Sequence, residues 1–510
     1  MTTHLQHTVI HPPPHWGINP AFWLTLVLPV LLITTLFSAA EAGAAYDSRP
    51  SDTLALHQHE ELEISLSDIH ELFREYDRTD APGCAVAIYQ NGATLYRNGF
   101  GMANLDYQIP LSDSSAFYMA SISKQVTAAA AGLLIVRGEI APDDPVSDYL
   151  DNWPDWAEDV RVKHLFNHTS GLPDLYDIME IAGISLSNVM DIDDYISVIK
   201  NGESLKHQPG NTYSYTNSGY TALAKIIENI TNNDFSVFVD NEILQPLGMS
   251  ATHFHDDRYR VIANRVISYA PVEERNDRTN HDEEGAGTTN DERLPAYRQT
   301  YLGNFQGVGP GGLYSTLRDW RHWEAFWSGN QNLPAENTGE FEALKQLMTE
   351  RAVVNGDTLD YGMGLEIETW QGIRMEGHPG SFMGFRTDVR RFPEYGISII
   401  TLCNREDADP PEMNRSLARM ILKEKFEAFL SPYGGIYHNN ELDVKYELTV
   451  EQGALKLNRR LSPSGIMSEA ERDIWEAGSW DIVFQRDRNN RITGFLVSTG
   501  RTREVEFRKQ

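Results

Sequence analysis

An uncharged, alanine-rich apolar run at residues 125–136 constrains the fold of this chain more than any other segment. Alanine has the highest helix propensity, so the run predicts a helix. Ser121-Ile-Ser-Lys124 stands directly before it, at the start of that helix. Each helical residue turns about 100°, which leaves positions i and i+3 about 60° apart on one face. The Ser121 hydroxyl and the Lys124 amine can therefore meet.

A serine beside a lysine suits nucleophilic catalysis. A serine hydroxyl needs an adjacent base, and a desolvated lysine can have its pKa lowered enough to serve. The helix N-terminus also favours an oxyanion. An isolated Ser-x-x-Lys occurs by chance in long chains, and its alternative interpretation is a helix start with a solvated lysine. The rest of the chain has to decide between the two.

The charge balance limits the partners. Among 510 residues, 43 are Lys or Arg and 73 are Asp or Glu, a net charge of -30. Such acidity argues against a nucleic-acid or anionic-membrane surface. The sequence therefore predicts no nucleic-acid partner. We expect a small-molecule or short-peptide substrate from the motifs described below, and the oligomeric state stays open.

The N-terminal segment predicts export. Residues 21–40 are uncharged and strongly apolar, and Ala40-Glu41-Ala42 fits a small-x-small cleavage pattern. We interpret residues 1–42 as a signal peptide, with an uncleaved membrane anchor as the alternative. Residues 43–60 then form a linker, and the folded part is periplasmic or extracellular.

The chain has two cysteines, Cys84 and Cys403, so no disulfide framework holds the fold. Each lies in an apolar, strand-like run. From this pattern alone, the default interpretation is a pair of buried free cysteines.

Hydrophobic periodicity outlines the secondary structure between residues 61 and 429. A hairpin with an Asn91-Gly92 turn is predicted near the start, and two strands near the end. Strands from both ends of the domain thus form the sheet, with helices between them in sequence, and this order of elements is typical of an α+β fold. The predicted segments are a helix containing residues 62–76, hairpin strands at 84–89 and 93–96, a helix at 221–230, strands at 385–392 and 397–403, and one amphipathic helix at 411–429.

Three further stretches resemble metal-binding or phosphate-binding motifs, but each motif is incomplete. His164 and His168 stand at i and i+4, and His253 precedes His255 by two, yet no third metal ligand follows a recognisable pattern. The glycine-rich residues 307–312 lack the Lys-Ser/Thr of a phosphate loop. We therefore expect no metal and no cofactor.

The acidic residues 272–295 predict a surface loop that could overhang a cleft.

Three motifs occur in order along the chain: Ser121-x-x-Lys124, Tyr215-x-Asn217 and His378-x-Gly380. With them the chain resembles the serine β-lactamase and penicillin-binding-protein-like hydrolases, in the branch of class C β-lactamases, D-aminopeptidases and family VIII esterases. The resemblance covers about residues 82–429. It implies an antiparallel sheet flanked by helices, with an all-helical subdomain. Its flanking motifs are Gly99-Phe-Gly-Met-Ala-Asn104, His168-Thr-Ser-Gly-Leu-Pro173, Gly311-Gly-Leu-Tyr-Ser-Thr-Leu-Arg-Asp319 and Tyr361-Gly-Met-Gly364.

The resemblance also implies roles for these residues. Ser121 would be the nucleophile, and Lys124 and Tyr215 would handle its proton, with Lys124 lowering the pKa of the phenol. The remaining positions would contact the substrate: Asn217 on the substrate amide or on Lys124, His378 and Gly380 on the third strand motif, and the backbone N–H groups of Ser121 and Ser381 as an oxyanion hole.

One departure from the family's usual residues narrows the range of expected substrates. β-Lactamases and transpeptidases of this family usually have lysine at the His378 position and a hydroxyl residue at the Pro379 position, which help to bind a substrate carboxylate. The chain therefore looks more like the aminopeptidase and esterase members. Proline is tolerated here if this strand lies at a sheet edge.

Residues 430–510 alternate apolar and polar side chains in short runs, which predicts a small all-β module. It looks like the lipocalin-like barrel appended to several such hydrolases, where it can cover the cleft or mediate oligomers. The family topology also implies that the first and last hydrolase strands are adjacent, which would bring Cys84 near Cys403. A disulfide stays open, because cross-strand geometry is restrictive and a Cα separation beyond about 7 Å forbids it.

The sequence thus predicts an exported serine hydrolase that forms an acyl-enzyme on Ser121 and cleaves small peptide, amide or ester bonds. The alternatives are a β-lactamase or D,D-carboxypeptidase, and a catalytically silent sensor with the penicillin-binding fold.

Overall fold

The structure is a computed structural model, and it describes residues 53–54, 64–272, 296–300, 306–330, 333, 335–459 and 462–510. The predicted signal segment 1–42, nearly all of the linker 43–60 and most of the predicted loop 272–295 lie outside these residues. Within the described part of the chain, no helix is long and apolar enough to cross a bilayer.

The helices lie mainly between the two halves of the large sheet in sequence. In chain order they are α1 (Leu66–Leu72), α2 (Ser123–Val136), α3 (Val162–Phe166), α4 (Leu175–Ile181), α5 (Ile192–Lys200), α6 (Ser218–Thr231), α7 (Phe235–Val239), α8 (Gln245–Leu247), α9 (Leu317–Ser328), α10 (Ala335–Met348), α11 (Pro410–Ile421) and α12 (Lys423–Leu430).

The strands fall into one large sheet, one C-terminal sheet and several two- or three-stranded ribbons. In chain order they are β1 (Thr53–Leu54), β2 (Ile64–Ser65), β3 (Cys84–Gln90), β4 (Ala93–Phe100), β5 (Met102–Asn104), β6 (Ile109–Pro110), β7 (Phe117–Tyr118), β8 (His253–Phe254), β9 (Tyr269–Pro271), β10 (Tyr297–Gln299), β11 (Leu313–Ser315), β12 (Val353–Val354), β13 (Asp357–Thr358), β14 (Glu366–Trp370), β15 (Ile373–Phe382), β16 (Phe385–Phe392), β17 (Ile397–Cys403), β18 (Gly435–Asn439), β19 (Val444–Glu451), β20 (Ala454–Arg459), β21 (Ser462–Ile466), β22 (Ser468–Glu471), β23 (Ile474–Ala477), β24 (Trp480–Arg486), β25 (Ile492–Ser498) and β26 (Val505–Lys509).

The large sheet is antiparallel, with the order β14-β15-β16-β17-β3-β4. It is built from both ends of the hydrolase region, which confirms the predicted α+β order. Helices cover both faces, so β3 and β17 are buried along almost their whole length. One face packs on the core that contains α2 and α6, and the other packs on α1, α11 and α12.

Two local predictions can be compared directly with the fold. The Asn91-Gly92 hairpin is confirmed, and both residues have the positive φ, 48° and 75°, that a tight hairpin turn requires. The single amphipathic helix at 411–429 is wrong. The segment forms two helices that meet at Leu422, whose φ of -105° and ψ of 25° end α11.

The cysteines lie opposite each other on adjacent strands. Cys84 on β3 pairs in register with Cys403 on β17, their Cα atoms are 4.0 Å apart, and they form a disulfide. The predicted proximity is confirmed, and the default interpretation of two free cysteines is wrong. The pairing depends on strand order, which the sequence spacing of the two residues does not reveal.

Removing this disulfide is expected to lower stability. It joins residues 319 positions apart, so it strongly restricts the unfolded chain, and such bonds contribute about 2–4 kcal/mol. We expect the Cys84→Ala/Cys403→Ala variant to unfold several degrees below the oxidised wild type in calorimetry. Alkylation in denaturant should find no free thiol before reduction and two afterwards. Two thiols before reduction would contradict the disulfide.

The C-terminal sheet has nine strands in the order β21-β20-β19-β18-β26-β25-β24-β23-β22 and forms a nearly closed barrel. Its interior is filled by aromatic side chains that include Tyr437, Phe484 and Phe495. The barrel meets the hydrolase sheet at the β14–β15 turn, where the Gln371 N–H donates to Glu469 over 2.8 Å. The predicted all-β module is confirmed.

Candidate active site

Ser121 lies in a tight turn, residues Ala120–Ile122, that leads into α2. Ala120 has a φ of +48°, an uncommon conformation for a residue with a Cβ, directly before the serine. Backbone contacts hold the turn, since Met119 N–H donates to Leu313 O over 2.8 Å. Ser121 is only partly buried, so its hydroxyl is accessible from the cleft.

Lys124 lies one helical turn after Ser121 and is completely buried. Its Nζ is 3.1 Å from Ser121 Oγ, 3.0 Å from Asn217 Oδ1 and 3.1 Å from Pro310 O. The predicted encounter of the Ser-x-x-Lys side chains is therefore present. The sequence could not indicate that a carbonyl from a segment 186 residues away completes the site.

The surroundings of Lys124 favour its neutral form. Burial lowers its pKa to about 7, against a smaller opposing effect of the Asp174 carboxylate. A neutral amine has two protons and one lone pair. Asn217 Oδ1 and Pro310 O can only accept hydrogen bonds, so they take the two protons. The lone pair is left for the proton of Ser121, which is the arrangement that a general base requires.

Tyr215 donates a hydrogen bond to Ser121 Oγ over 2.9 Å, and Lys124 Nζ lies 4.8 Å from the centre of its ring. The expectation that Lys124 lowers the pKa of this phenol is wrong. Burial of the hydroxyl raises the pKa, and the hydrogen bond to Ser121 opposes this only in part. As 39% of the residue is exposed, the rise is smaller than for a fully enclosed phenol. Tyr215 is thus a proton donor in the free enzyme.

The third motif lies on a strand that is only half covered. β14 pairs with β15 up to Gly377, so residues 378–382 have β16 on one side and the cleft on the other. Pro379 pairs with Asp388 of β16 and cannot donate a hydrogen bond to that strand, so its nitrogen faces the open edge. N–H groups two residues apart in a strand point the same way. The Ser381 N–H is therefore directed at the cleft.

Gly380 is required because β15 passes very close to the turn that carries the nucleophile. A Cβ on Gly380 would lie 2.2 Å from Thr387 Oγ1 and 2.7 Å from Met119 O. Thr387 itself donates to Met119 O over 3.1 Å. Any other residue would push the strand away from Ser121 and widen the space between the two backbone donors.

The cleft has a volume of about 530 Å³, which suits a small ligand. Tyr118, Tyr176 and Phe382 form an apolar wall, with ring centroids 5.3–6.3 Å apart. No residue of the barrel is among the described residues that line it. Ser121, Tyr215, Asn217, His378, Gly380 and Ser381 all line the cleft, and Lys124 lies directly behind them.

Two sets of contacts around this site were not predicted from the sequence. Asp174 caps α4 and accepts hydrogen bonds from Asn217 N, at 2.6 Å, and Asn217 Nδ2, at 3.0 Å. It orients the amide so that Asn217 Oδ1 faces Lys124. Asp174 directly follows the His168–Pro173 motif, which was the available signal.

The second set of contacts joins His168, Tyr361 and His378 behind Tyr215. His168 Nε2 is 3.1 Å from the Tyr361 hydroxyl, which is 2.9 Å from His378 Nε2. In the described residues, no cluster of histidine, cysteine and carboxylate side chains has the arrangement of a metal site. His164 is not part of this group, because its ring Nδ1 accepts from Arg161 N at the start of α3.

Comparisons with known proteins show which proteins the chain is similar to. The family model described as Beta-lactamase matches residues 69–421. Penicillin-binding protein 4* of Bacillus subtilis is 29% identical over 325 residues, which cover 63% of this chain and 68% of that protein. A D-aminopeptidase of Brucella anthropi is 26% identical over 325 residues, 64% of this chain and 56% of that protein. The chain thus spans little more than half of the aminopeptidase.

Solved structures show the same fold. An octameric penicillin-binding protein homologue from Pyrococcus abyssi matches with a TM-score of 0.56 and 21% identity, covering 87% of this chain and 98% of that one. The D-amino acid amidase from Ochrobactrum anthropi matches with a TM-score of 0.54 and 20% identity, covering 71% of this chain and 99% of that one.

Proposed function

Because the chain belongs to the beta-lactamase family and is a serine hydrolase, we propose that it acts through an acyl-enzyme on Ser121 and cleaves small amides or esters, in the manner of a D-aminopeptidase or esterase. The observation that carries the proposal is the convergence of two groups on one oxygen. Lys124 Nζ and the Tyr215 hydroxyl both lie within 3.1 Å of Ser121 Oγ.

Acylation follows from this geometry. Ser121 Oγ attacks the substrate carbonyl carbon as its proton passes to Lys124 Nζ. The carbonyl oxygen becomes an oxyanion that accepts hydrogen bonds from the N–H groups of Ser121 and Ser381. The bond to the leaving group then breaks, Tyr215 protonates the departing nitrogen or oxygen, and the proton on Lys124 replaces the one that Tyr215 gave.

Deacylation reverses these roles with water. Water attacks the ester carbon of the acyl-enzyme and gives up one proton to the Lys124 and Tyr215 pair. The C–O bond to Ser121 breaks, Ser121 Oγ takes that proton back, and the acid product leaves. Each cycle consumes one water and restores all three side chains, so no metal or cofactor enters a step.

The charges in the cleft favour substrates without a carboxylate next to the scissile bond. His378 is 2% exposed, and burial lowers its pKa to about 4, so it is neutral where family members usually have lysine. Arg386 also lines the cleft, but it donates to Met383 O and Phe385 O and lies 3.5 Å from Glu406. The described lining residues therefore offer no unpaired cation.

The substrate class can be tested with four substrates. D-Alanyl p-nitroanilide, its L-isomer, p-nitrophenyl butyrate and a chromogenic cephalosporin should each be assayed with the wild type and Ser121→Ala. We expect Ser121-dependent turnover of the D-anilide or the ester and slow turnover of the cephalosporin. Turnover of the cephalosporin as the fastest substrate would contradict the proposal and favour a β-lactamase.

A D,D-peptidase is the second candidate, because penicillin-binding protein 4* is among the relatives. That activity needs a group that binds the C-terminal carboxylate of the peptide. Release of D-alanine from a D-alanyl-D-alanine peptide, faster than hydrolysis of the D-anilide, would establish this candidate instead.

The pKa of Lys124 sets an expected pH dependence. The group is the base only when neutral, and its lowered pKa is about 7. Below that pH the ammonium form dominates, so we expect kcat/KM to rise tenfold per pH unit and to level off above about 7. The pH profile of the free enzyme measures this directly. A profile that is flat between pH 5 and about 8 would rule out Lys124 as the titrating base.

We also propose that the protein is exported, to the periplasm or the outside of the cell. The apolar segment at 21–40 and the disulfide between Cys84 and Cys403 support this, since disulfides persist in oxidising compartments. Fractionation followed by N-terminal sequencing of the mature protein tests it. A cytoplasmic protein with an intact N-terminus would contradict export.

A further inference from the structure

A continuous hydrogen-bonded chain connects the segment that carries Tyr215 to the strand that carries the oxyanion donor. The Thr216 N–H donates to His168 Nδ1 over 3.2 Å. His168 Nε2, the Tyr361 hydroxyl and His378 Nε2 follow, at 3.1 Å and 2.9 Å. At the far end His378 Nδ1 is 2.5 Å from Pro379 O. The chain therefore runs from residue 216, next to Tyr215, to residue 379 on β15.

The backbone groups at the two ends fix the direction of every hydrogen bond in this hydrogen-bonded chain. Because the Thr216 N–H donates, His168 Nδ1 must accept, and a neutral His168 then carries its proton on Nε2. Because Pro379 O accepts, His378 Nδ1 must donate, and a neutral His378 then has a lone pair on Nε2. The group between the two rings must accept from one and donate to the other. A hydroxyl does both, and Tyr361 places one there.

Both imidazoles are neutral in this arrangement. His168 is 0% exposed and His378 is 2% exposed, and burial lowers the pKa values of both rings. The Glu366 carboxylate opposes this effect in part at His378. Tyr220 lies beside this chain, but its own hydroxyl proton goes to Phe166 O over 2.7 Å. It therefore has no proton left for His378 and cannot replace Tyr361 as the donor.

The hydrogen-bonded chain also determines the position of Tyr215. The His168 ring lies against the Tyr215 ring with centroids 4.3 Å apart, and His168 O accepts from Ser214 N over 2.8 Å. The His378 ring is 6.1 Å from Tyr215 on the other side. A shift of either imidazole would move the phenol relative to Ser121.

We propose that Tyr361 is a positioning residue, whose hydroxyl locks His168 and His378 in opposite tautomers and so holds Tyr215 and the Ser381 backbone at a fixed spacing around Ser121. It contacts neither the substrate nor Ser121. This proposal rests on the acyl-enzyme mechanism above for its effect on rate, whereas the tautomers that it requires are a property of the resting protein.

The first test uses kinetics with Tyr361→Phe, which keeps the ring and removes the hydroxyl. Displacement of a reacting group by about 1 Å can cost 100-fold in rate. We expect kcat to fall about 10-fold to 100-fold, with KM changed less than about threefold, since the cleft wall is untouched. A purely structural role would instead lower the fraction of active protein and leave kcat per acylated site unchanged.

Tyr213→Phe is the matched control. Its ring lies in the same cluster, 5.8 Å from Tyr361 and 5.9 Å from His168, and within the described residues no hydrogen bond of its hydroxyl is found. We expect this variant to keep the wild-type kcat. Equal effects of the two variants on kcat would overturn the proposal.

The second test measures the tautomers in the wild-type protein itself. Imidazole nitrogen shifts of isotope-labelled histidine report tautomers, and His168→Gln and His378→Gln assign the two rings. We expect Nε2–H for His168 and Nδ1–H for His378. The same tautomer in both rings, or a charged ring at neutral pH, would overturn the direction of the chain. If Ser121→Ala keeps full activity, the proposed function fails, but this measurement still decides the tautomers.

Discussion

Replacement of Ser121 by alanine is expected to lower kcat/KM by about 10⁴-fold to 10⁶-fold on every substrate that the wild type turns over. The reason is that Ser121 Oγ is the atom on which Lys124 and Tyr215 converge, and no other hydroxyl among the described residues shares both contacts. Loss of a nucleophile removes the covalent route, and only binding and the oxyanion donors remain to accelerate direct attack by water.

Ser123→Ala is the matched control for this prediction. Ser123 is the first residue of α2, directly after the turn; its hydroxyl is buried and donates to Ala120 O over 2.6 Å, and Ser123 does not line the cleft. We expect this variant to retain most of the activity and to form an acyl-enzyme. Steady-state kinetics of both variants checks the pair. A Ser121→Ala protein that retains more than about a hundredth of the wild-type rate would contradict the nucleophile assignment.

Lys124→Met is expected to have the second largest effect. Methionine matches the length of the lysine but has no base, so we expect kcat to fall about 10²-fold to 10⁴-fold. The acid limb of the pH profile near pH 7 should disappear from the residual activity. Stability should change little, because the variant removes a buried amine that is costly to charge. Kinetics across pH and calorimetry together measure both effects.

Lys225→Met is the control variant for Lys124→Met. Lys225 is partly buried in α6, but ion pairs with Asp193 and Glu228 raise its pKa, so it cannot be a base near neutral pH. We expect this variant to lose stability and to keep the wild-type acid limb. An acid limb that survives in Lys124→Met would show that another group titrates.

Much of the site could be predicted from sequence where the geometry is local. Helical spacing brings Ser121 to Lys124, and the apolar run after them forms the buried helix α2. The strands β16 and β17 have the predicted bounds. The meeting of the three motifs around one cleft did not follow from spacing. It came from the resemblance to a family, and the cleft lined by these residues agrees with it.

The features that the sequence could not indicate depend on contacts between distant segments. The direction of the Tyr215 pKa shift is set by burial, which outweighs the hydrogen bond to Ser121. The disulfide depends on which strands are neighbours. The hydrogen-bonded chain through Tyr361 joins four separate segments, at residues 168, 216, 361 and 378–379, and none of these residues signals the connection by itself.

The central claim is that Ser121 becomes acylated, and reaction with a fluorophosphonate followed by intact-mass and peptide analysis tests it most directly. We expect one adduct per chain, located on Ser121, absent from Ser121→Ala and still formed by Ser123→Ala. The reaction should slow below about pH 7 as Lys124 takes up a proton. An adduct on a different residue, or no adduct on a folded wild-type protein, would contradict the account.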